Sequence, residues 1–486
     1  MAHLISETPD ACASAVPRLR MLIGGTWREG SNERDVVNPY SGKVVARAPE
    51  SSLPDLDEAL HAATAAKQQA AATPGYERAA LLRRAAKLLL ERADDIAMVM
   101  TRETGKAIKD AKAEVVRSQD TILLSAEEAI RIEGEQVPLD GSTMGAGKLA
   151  FMLRFPVGVV AGITPFNAPF NLACHKVAPA IAAGNTIVLK APPQAPGVVT
   201  RLFELFADAG APPGLVNLLY GNTVGPALVR DSRVDFISFT GSSRVGLDIK
   251  AASGTRRVAL ELGGNGITIV HADADLADAA PTCARNAMRL AGQSCISVQN
   301  VYVHESLYDA FVVQLVANVR KLRLGDPADP ATDVGTMINE AAAQRVESWV
   351  AQASSAGARV LTGGNRHGAQ YDPTVLVDVD PSMKVVCEEV FGPVITVQRY
   401  DDLALVLAAV SADQYGLQCG IFTKSLPIAF QAIRGLRVGG VIINGSSTWR
   451  TDQLAYGGVK ASGIGREGPR YAIRDMTDER LVVFNL

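Results

Sequence analysis

The chain has 486 residues, of which 48% are hydrophobic, and a formal net charge of −3. This length predicts roughly two to four domains with sizeable cores, which excludes a disordered chain. A nearly neutral chain without a run of like charges also argues against nucleic-acid binding.

Six cysteines lie far apart and form no C-x-x-C pair, which argues against a disulfide framework and a zinc site and favours a reducing cytoplasm. The N-terminus, MAHLISETPDACASAVPRLR, lacks the basic start and apolar core of a secretory signal, and we expect its twenty residues to be poorly ordered. No segment reaches the ~18 apolar residues of a membrane span. We therefore expect a cytoplasmic protein without a metal or a membrane partner.

The first predicted elements are short strands in MLIGGTWREG and RDVVNPYSGKVVARAPE. From Leu53 to Glu133, apolar residues recur at three- and four-residue spacing, which predicts three amphipathic helices. From Phe151, apolar strands alternate with helices for about a hundred residues, a pattern typical of a parallel sheet covered by helices on both faces. Ligands of such sheets bind beyond the carboxyl ends of the strands.

A second α/β stretch runs from about Gly264 to Gly458, with predicted strands in NVYVHE, ARVLTGG, ITVQRY, CGIFTK and GGVIING. The last residues, ERLVVFNL, form a further predicted strand. This strand is either an edge strand of its own domain or a strand that pairs with another subunit.

Three residues have the chemistry of a nucleophilic site. Cys295 in AGQSCISVQN is a candidate nucleophile, and Glu261 ends a strand-like run just before two glycines, where an α/β site would place a base. Asn167 follows the strand GVVAGI and could donate to an oxyanion. Taken singly, each also fits a structural role, as a buried thiol, an exposed turn carboxylate or a turn amide.

Two further segments fit a nucleotide. Lys190 ends a strand in VLKAPP, where its ammonium could bind a ribose hydroxyl or a phosphate. Thr240, Gly241 and Ser242 stand between a strand and a helix, whose free N–H groups suit a pyrophosphate. Since no G-x-G-x-x-G is present, any nucleotide site must depart from the common dinucleotide fingerprint.

In order and spacing, seven segments together resemble the aldehyde dehydrogenase superfamily over essentially the whole chain; they are PFNAPFN, VLKAPP, FTGSSRVG, LELGGNG, GQSC, CEEVFGPV and YGGVKASGIGRE. The resemblance implies an α/β fold with a Rossmann-type nucleotide-binding domain (1–138 and 155–262), an α/β catalytic domain (263–470) and a bridging oligomerisation element (139–154 and 471–486). It also implies a homodimer or homotetramer in which ERLVVFNL is an intersubunit strand.

The same resemblance implies NAD(P)-dependent oxidation of an aldehyde. Cys295 would form a thiohemiacetal whose oxyanion is held by the Asn167 amide and the Cys295 backbone N–H. After hydride transfer, water activated by Glu261 would hydrolyse the thioester.

For the cofactor, the resemblance assigns Lys190 to the adenosine ribose and Glu389 and Phe391 to the nicotinamide ribose and ring. The other implied cofactor contacts are Thr164, Pro165, Phe166, Val245 and Leu262, with Thr240, Gly241 and Ser242 at the pyrophosphate. NAD is the implied cofactor. Pro193 stands where NAD-preferring members often carry a Glu, which leaves NADP open because the missing carboxylate cannot repel a 2′-phosphate.

The residues expected around the substrate are polar and basic: Arg117, His175 and Arg450. Two guanidinium groups suit an anionic aldehyde, because their planar forks bind oxyanions. His175 and the segment NGSSTWRTDQLAYGG resemble phosphonoacetaldehyde dehydrogenases, which predicts oxidation of phosphonoacetaldehyde to phosphonoacetate.

Several alternatives stay open at this point. Glyceraldehyde 3-phosphate, in a non-phosphorylating reaction, lactaldehyde and succinate semialdehyde are the other substrates. Arg117 could instead be a solvated helix residue, and Arg450 could pair with a structural carboxylate. Thiol chemistry without a redox step, as in an esterase, and a non-catalytic binding or structural protein of the same fold are the remaining hypotheses.

Overall fold

The computed structural model describes residues 16–486. The predicted disorder of the N-terminus concerns mainly residues 1–15, which include Cys12 and lie outside the described residues. For the residues that follow, the prediction is wrong: the Leu19 N–H donates to the Arg47 carbonyl at 2.8 Å, and the Arg47 N–H donates to the Pro17 carbonyl at 2.9 Å.

The strands are β1 (Met21–Ile23), β2 (Thr26–Arg28), β3 (Glu33–Val37), β4 (Val44–Pro49), β5 (Glu135–Val137), β6 (Lys148–Pro156), β7 (Val159–Ile163), β8 (Thr186–Lys190), β9 (Val216–Leu219), β10 (Phe236–Thr240), β11 (Arg257–Glu261), β12 (Ile267–Val270), β13 (Asn300–His304), β14 (Arg359–Thr362), β15 (Arg366–His367), β16 (Gln370–Tyr371), β17 (Thr374–Val377), β18 (Val394–Tyr400), β19 (Gln418–Phe422), β20 (Gly440–Ile443), β21 (Gly463–Ile464) and β22 (Thr477–Asn485).

The helices are α1 (Leu53–Ala72), α2 (Gly75–Glu91), α3 (Ala93–Thr104), α4 (Ile108–Ala129), α5 (Pro169–Ala183), α6 (Pro196–Asp208), α7 (Val224–Arg230), α8 (Ser243–Ala252), α9 (Leu276–Met288), α10 (Glu305–Val319), α11 (Glu340–Ser355), α12 (Lys384–Cys387), α13 (Leu403–Ala412), α14 (Leu426–Gly435) and α15 (Pro469–Asp475).

The segment from Leu53 to Glu133 forms four helices, so the prediction of three was wrong. Pro74 separates α1 from α2, because proline ends the hydrogen-bond ladder and biases the residue before it away from helix. Arg92, with φ −112° and ψ 12°, separates α2 from α3. Gly105, in a left-handed conformation with φ +71°, ends α3. The apolar periodicity continues across the break at Arg92, which carries no proline or glycine signal.

The first sheet contains eight strands in the order β2-β1-β9-β8-β7-β10-β11-β21. Its five central strands, in the spatial order β9, β8, β7, β10 and β11, all run parallel, as the apolar runs predicted. The chain adds β8 and β9 on one side of β7 and then β10 and β11 on the other. Between β7 and β10 the strand order therefore reverses, which opens a crevice at their carboxyl ends.

The second sheet contains seven strands in the order β14-β17-β18-β13-β12-β19-β20, all parallel except β14. All five predicted strands are present in it, whereas β12 and β17 were missed. Each of these two large sheets has its own buried apolar core. The short strand β21, from the C-terminal part of the chain, joins the first sheet beside Glu261.

A third, three-stranded sheet has the order β22-β6-β5. The predicted C-terminal strand pairs antiparallel with β6 over nine residues, from Thr477 to Asn485. The edge of β22 that faces away from β6 has no strand partner within residues 16–486. Among the helices of the described segment, none has the length and apolar character needed to cross a membrane.

Candidate active site

A cavity of about 180 Å³ lies beside the loop that precedes β13. Its walls come from α4, the start of α5, the Cys295 loop and the segment that follows β20. Cys295, Asn167, Arg117 and Arg450 all line it, together with Tyr456. The structure therefore brings together four of the predicted site residues from segments far apart in the chain.

The Cys295 loop begins with unusual backbone conformations. Leu290, Ala291 and Gly292 have φ values of +58°, +50° and +68°. Such a run is uncommon for residues with a side chain and tends to mark functional sites. The Gln293 side chain donates to the Leu290 carbonyl at 3.2 Å, which holds the turn just before Cys295.

The Cys295 sulfur is partly buried and lies 3.1 Å from the Tyr456 hydroxyl oxygen. Burial raises the pKa of Cys295 to about 12; Glu389 and Glu261 also raise it, while the Tyr456 hydrogen bond and the Arg450 charge oppose the shift. Burial raises the pKa of Tyr456 as well, so its hydroxyl stays protonated, and either the hydroxyl or the thiol can be the donor in this contact. In this structure Cys295 is therefore a thiol at neutral pH.

The raised pKa predicts slow alkylation of Cys295 by iodoacetamide at neutral pH without cofactor. Because only the thiolate reacts, the rate should rise about tenfold per pH unit up to at least about pH 9. Mass spectrometry of the Cys295 peptide would give the rate. Tyr456→Phe should slow the reaction further at each pH, since it removes a donor that lowers the pKa. A plateau already near pH 7 would contradict the buried-thiol description.

Glu261 is the last residue of β11, between Thr240 of β10 and Gly463 of β21. Its side chain is buried, and neither carboxyl oxygen has a hydrogen-bond partner among residues 16–486. Burial raises its pKa well above the usual range, and the charge of Glu467 raises it further. It lines a separate cavity of about 10 Å³, with room for about one water molecule, and not the cavity of Cys295.

A second buried carboxylate shares this cluster but behaves oppositely. Glu467 accepts a hydrogen bond from Arg450 at 2.8 Å and lies 3.9 Å from the Lys176 ammonium. Burial alone would raise the pKa of Glu467, but His175, Arg450 and Lys176 outweigh it and bring the pKa to about 2. Glu467 therefore keeps its charge while Glu261 favours its proton. Two carboxyl groups with separated pKa values are typical of acid–base chemistry.

Both arginines at the cavity are anchored by carboxylates. Arg117 donates to Asp452 from Nε at 3.0 Å and from Nη2 at 2.5 Å. Arg450 donates to Glu467, and its guanidinium carbon lies 3.7 Å from the centre of the Tyr456 ring. The Arg450 Nε is buried and has no hydrogen-bond partner within the described range 16–486. The expected pairing of Arg450 with a carboxylate is thus present. Both arginines nevertheless line the cavity, and the carboxylates occupy only some of their N–H groups, so the others can bind a ligand.

His175 lies behind this cavity and not in its wall. It is 1% exposed on α5, and its Nε2 lies 3.0 Å from Asp452 Oδ1 and 3.2 Å from Arg450 Nη2. Burial would raise the pKa of Asp452, but the His175 and Arg117 contacts hold it well below the usual range. His175 is therefore not placed for direct contact with a substrate in the cavity. Its ring instead contacts Asp452 and Arg450, and so holds the arginines in position. Since every residue of α5 is buried, periodicity could not assign it a face.

The predicted cofactor residues lie at the carboxyl ends of the first sheet. Lys190 ends β8, where burial lowers its pKa to about 8. Thr164 follows β7, and its buried hydroxyl has no hydrogen-bond partner in the described part of the chain. Thr240 ends β10 and accepts a hydrogen bond from Lys176 at 2.8 Å. An unpartnered hydroxyl and a buried ammonium at the crevice fit a polar ligand, as NAD or NADP would be.

The predicted pyrophosphate segment differs from expectation at Gly241. Its N–H donates to the Glu261 carbonyl at 3.0 Å and is not free for a ligand. The Ser242 hydroxyl caps α8 by accepting from the Val245 N–H at 3.5 Å. The N–H groups of residues 243–244 have no partner in the described part of the chain, so they are the donors that a pyrophosphate could use.

The predicted nicotinamide residues form one cluster beside the loop after β11. A Glu389 oxygen accepts a backbone N–H at 3.2 Å, and burial raises the pKa of Glu389 to about 7. The rings of Phe391 and Phe166 meet edge-on, with centroids 5.9 Å apart. Pro165 is half-buried beside Phe166, and Leu262 is buried at the start of the loop.

Sequence reasoning missed four residues of this site, which are Lys176, Asp452, Tyr456 and Glu467. Tyr456 and Glu467 stand in the quoted segment YGGVKASGIGRE, so a signal was present. Asp452 stands in the segment NGSSTWRTDQLAYGG, so a signal was present for it too. Lys176 had none, because a lone lysine in an apolar helix usually faces solvent.

Comparison with known proteins identifies the family. The model of the aldehyde dehydrogenase family matches residues 27–482. The 3-sulfolactaldehyde dehydrogenase of Priestia aryabhattai is 43% identical over 473 residues, which are 97% of this chain and 99% of that protein. The lactaldehyde dehydrogenase of Methanocaldococcus jannaschii is 38% identical, over 96% of this chain and 100% of that protein.

Among solved structures, aldehyde dehydrogenase 21 from Physcomitrella patens, in complex with the reaction product succinate, superposes with a TM-score of 0.95. It is 40% identical in sequence and covers 97% of this chain and 99% of its own.

The chain therefore belongs to the aldehyde dehydrogenase family, and the predicted α/β fold is confirmed. It is an NAD(P)-dependent aldehyde dehydrogenase, as the combined motifs predicted.

Proposed function

We propose that this enzyme oxidises a small aldehyde that carries a sulfonate or phosphonate group. The observation that carries the proposal is the pair of guanidinium groups, Arg117 and Arg450, in the wall of the Cys295 cavity. Arginine forks bind tetrahedral oxyanions through two N–H groups at once. A cavity of about 180 Å³ suits a molecule of few carbon atoms.

Within this class, 3-sulfolactaldehyde is the first candidate, because a relative with 43% identity carries that name. Phosphonoacetaldehyde is the second candidate, supported by the segment NGSSTWRTDQLAYGG that contains Arg450. Lactaldehyde, succinate semialdehyde and glyceraldehyde 3-phosphate complete the set to be compared.

In the proposed mechanism, the Cys295 thiol first gives its proton to water, and the resulting thiolate attacks the aldehyde carbon and gives a thiohemiacetal. The Asn167 amide and the Cys295 backbone N–H donate to its oxyanion. The chemistry supplied by bound NAD(P) is acceptance of a hydride from that carbon, which leaves a thioester on Cys295. Tyr456 keeps the sulfur oriented through the 3.1 Å contact.

Glu261 acts as the general base that releases the product. Burial raises its pKa, so its carboxylate form is a stronger base than an ordinary Glu carboxylate, and this form takes a proton from the water that attacks the thioester. Because it lines the inner cavity, its carboxylate must turn toward Cys295 for this step. The charged Glu467 supports the position of Lys176 and Arg450 throughout.

For the cofactor we propose the crevice at the first sheet, with Lys190 at the adenosine ribose and the start of α8 at the pyrophosphate. Thr164, Pro165 and Phe166 would lie along the other side of the crevice. Leu262, Val245, Glu389 and Phe391 would complete the site, with Glu389 at the nicotinamide ribose. Two observations support this placement: the buried Thr164 hydroxyl has no hydrogen-bond partner within residues 16–486, and the Lys190 ammonium is buried at the end of β8.

We further propose the domain roles expected from the motifs, with nucleotide binding by 1–138 and 155–262 and catalysis by 263–470. The element of 139–154 and 471–486 would join copies of the chain into a homodimer or homotetramer. The exposed apolar residues on or beside β22 are Leu481, Val483, Phe484 and Leu486. The edge of β22 that faces away from β6 has no strand partner among residues 16–486, so its backbone groups are available for pairing.

The substrate proposal is tested by comparing kcat/KM for 3-sulfolactaldehyde, phosphonoacetaldehyde, lactaldehyde, succinate semialdehyde and glyceraldehyde 3-phosphate, with NAD and with NADP. We expect the sulfonate or the phosphonate to be the best substrate and lactaldehyde, which is uncharged, to be much poorer. Lactaldehyde as the best substrate would contradict the proposal.

The role of the arginines is tested with Arg450→Lys and Arg117→Gln. Loss of a charge-assisted contact costs about 1.5–3 kcal/mol, so KM for the anionic aldehyde should rise roughly ten- to a hundredfold more than KM for lactaldehyde. Arg230→Gln, on the exposed face of α7, is the control and should change neither. Equal losses on both substrates, with unaltered thermal unfolding, would show that the arginines do not select the anion.

A further inference from the structure

A further cavity, of about 270 Å³, lies between α1, α2, the end of α5 and the loop that joins α6 to β9. It shares no lining residue with the cavity of Cys295, and no step of the proposed reaction uses it. Tyr76, which is 67% exposed, is part of its wall, so the cavity opens to solvent beside that ring. The apolar part of the wall comes from Ala66, Ala70, Leu81, Ile181, Pro212 and Leu215.

Arg78 of α2 brings a positive charge to this apolar wall. Its Nε is buried and has no hydrogen-bond partner among residues 16–486. Burial lowers the pKa of Arg78, and no neighbouring carboxylate of the described segment opposes the shift. The guanidinium has therefore lost part of its hydration without gaining a counterion. An anion beside it would offset that loss.

The end of α5 explains how this guanidinium is placed. Gly184 follows α5 in the left-handed region, with φ +86°, and a Cβ there would lie 2.6 Å from Arg78 Nη1. The guanidinium therefore lies against the C-terminal end of the helix, where the helix dipole supplies about half a negative charge. The dipole compensates part of the positive charge of Arg78 and leaves the rest for a ligand.

The other charged groups of the wall also favour an anion. Arg84 is a second guanidinium in the wall, and its Nε donates to the Ala209 carbonyl at 2.8 Å. Within the described residues, Glu77 is the one carboxylate of the wall, and its Oε1 accepts from the Tyr76 hydroxyl at 2.8 Å. Two cations against one carboxylate leave the wall with a net positive charge.

We propose that this cavity binds a small organic acid, in which a carboxylate is carried on a compact apolar body such as a single ring. The guanidinium N–H groups of Arg78 bind the carboxylate, while the apolar wall covers the body. A cavity of about 150 Å³ already holds a benzene ring. The 270 Å³ available here therefore have room for a ring together with its carboxylate.

The test titrates benzoate, benzamide and acetate into the full-length protein by calorimetry. Benzoate has both the ring and the charge, benzamide has the ring without the charge, and acetate has the charge without the ring. Benzoate should bind about ten- to a hundredfold more tightly than either of the other two compounds. Equal affinity for benzoate and benzamide would overturn the proposal, and so would the absence of binding by all three.

Two variants separate the charge from the space. Arg78→Gln should weaken benzoate about ten- to a hundredfold and leave benzamide unchanged. Ala80→Phe fills the cavity from α2 and keeps Arg78, so it should weaken benzoate and benzamide alike. Arg83→Gln is the matched control, since Arg83 is exposed on the same helix and lines no part of the cavity. Thermal unfolding without a ligand shows that each variant is folded.

Benzoate is an anion and could also enter the cavity of Cys295, so the titration is repeated with Arg450→Lys. Affinity that is lost in Arg450→Lys and retained in Arg78→Gln would place benzoate at Cys295 and overturn the proposal. Affinity that is lost in Arg78→Gln and in Ala80→Phe, and retained in Arg450→Lys, would confirm a separate site. The titration requires no turnover, so its result does not depend on which aldehyde the enzyme oxidises.

Discussion

Cys295→Ala should abolish aldehyde-dependent reduction of NAD(P), with a loss of at least about 10⁴-fold in kcat. Removal of a nucleophile leaves only the rate that binding and the oxyanion donors can sustain. The loss should be the same for every aldehyde tested, because each of them would react through the same sulfur. Absorbance of reduced nicotinamide measures the effect.

Cys283→Ala is the matched control for this experiment. Cys283 is a buried thiol of α9 that lines no part of the Cys295 cavity, so its removal should leave kcat within a few fold. A Cys295→Ala protein with parental activity would refute the nucleophile assignment. A parent protein that is inactive on all aldehydes, yet binds NAD(P), would instead favour the non-catalytic hypothesis. Ester hydrolysis without cofactor would favour an esterase.

Glu261→Gln should stall the enzyme after the redox step. One equivalent of reduced cofactor per site should form in a rapid burst, followed by turnover about 10²- to 10⁴-fold slower, because the thioester lacks a base to activate water. Stopped-flow absorbance separates the two phases. Glu261→Asp retains a carboxylate and should recover part of the slow phase.

The same variant also tests the raised pKa of Glu261. In the parent, the base form appears only as pH rises through that pKa, so kcat should fall as pH is lowered, already above the ordinary range of a carboxyl group. In Glu261→Gln this limb of the pH profile should vanish. An unchanged limb would mean that another group titrates, and a fast steady state without a burst would exclude Glu261 as the base.

Much of the fold could be predicted because the sequence patterns have a direct physical meaning. Apolar runs such as TIVLK and FISFT are buried on both faces in β8 and β10, as parallel strands under two helix layers must be. Prediction failed where the signal was weak: β12 has only four residues, three of them apolar, and so short a run does not distinguish a strand from a helix segment. The break between α2 and α3 at Arg92 has no composition signal at all.

At the site, the sequence by itself determined the residue types and their order: a thiol in GQSC, a carboxylate at a strand end, an amide in PFNAPFN and a lysine at the end of VLKAPP. These depend on local chemistry and on a combination of motifs that chance does not produce. The tertiary structure alone decided which groups meet, because contacts such as Arg117 with Asp452 and Cys295 with Tyr456 join residues 335 and 161 positions apart. It also decided the burial that raises the pKa of Cys295 and Glu261 but leaves Glu467 charged, since desolvation and neighbouring charges exist only once the chain has folded.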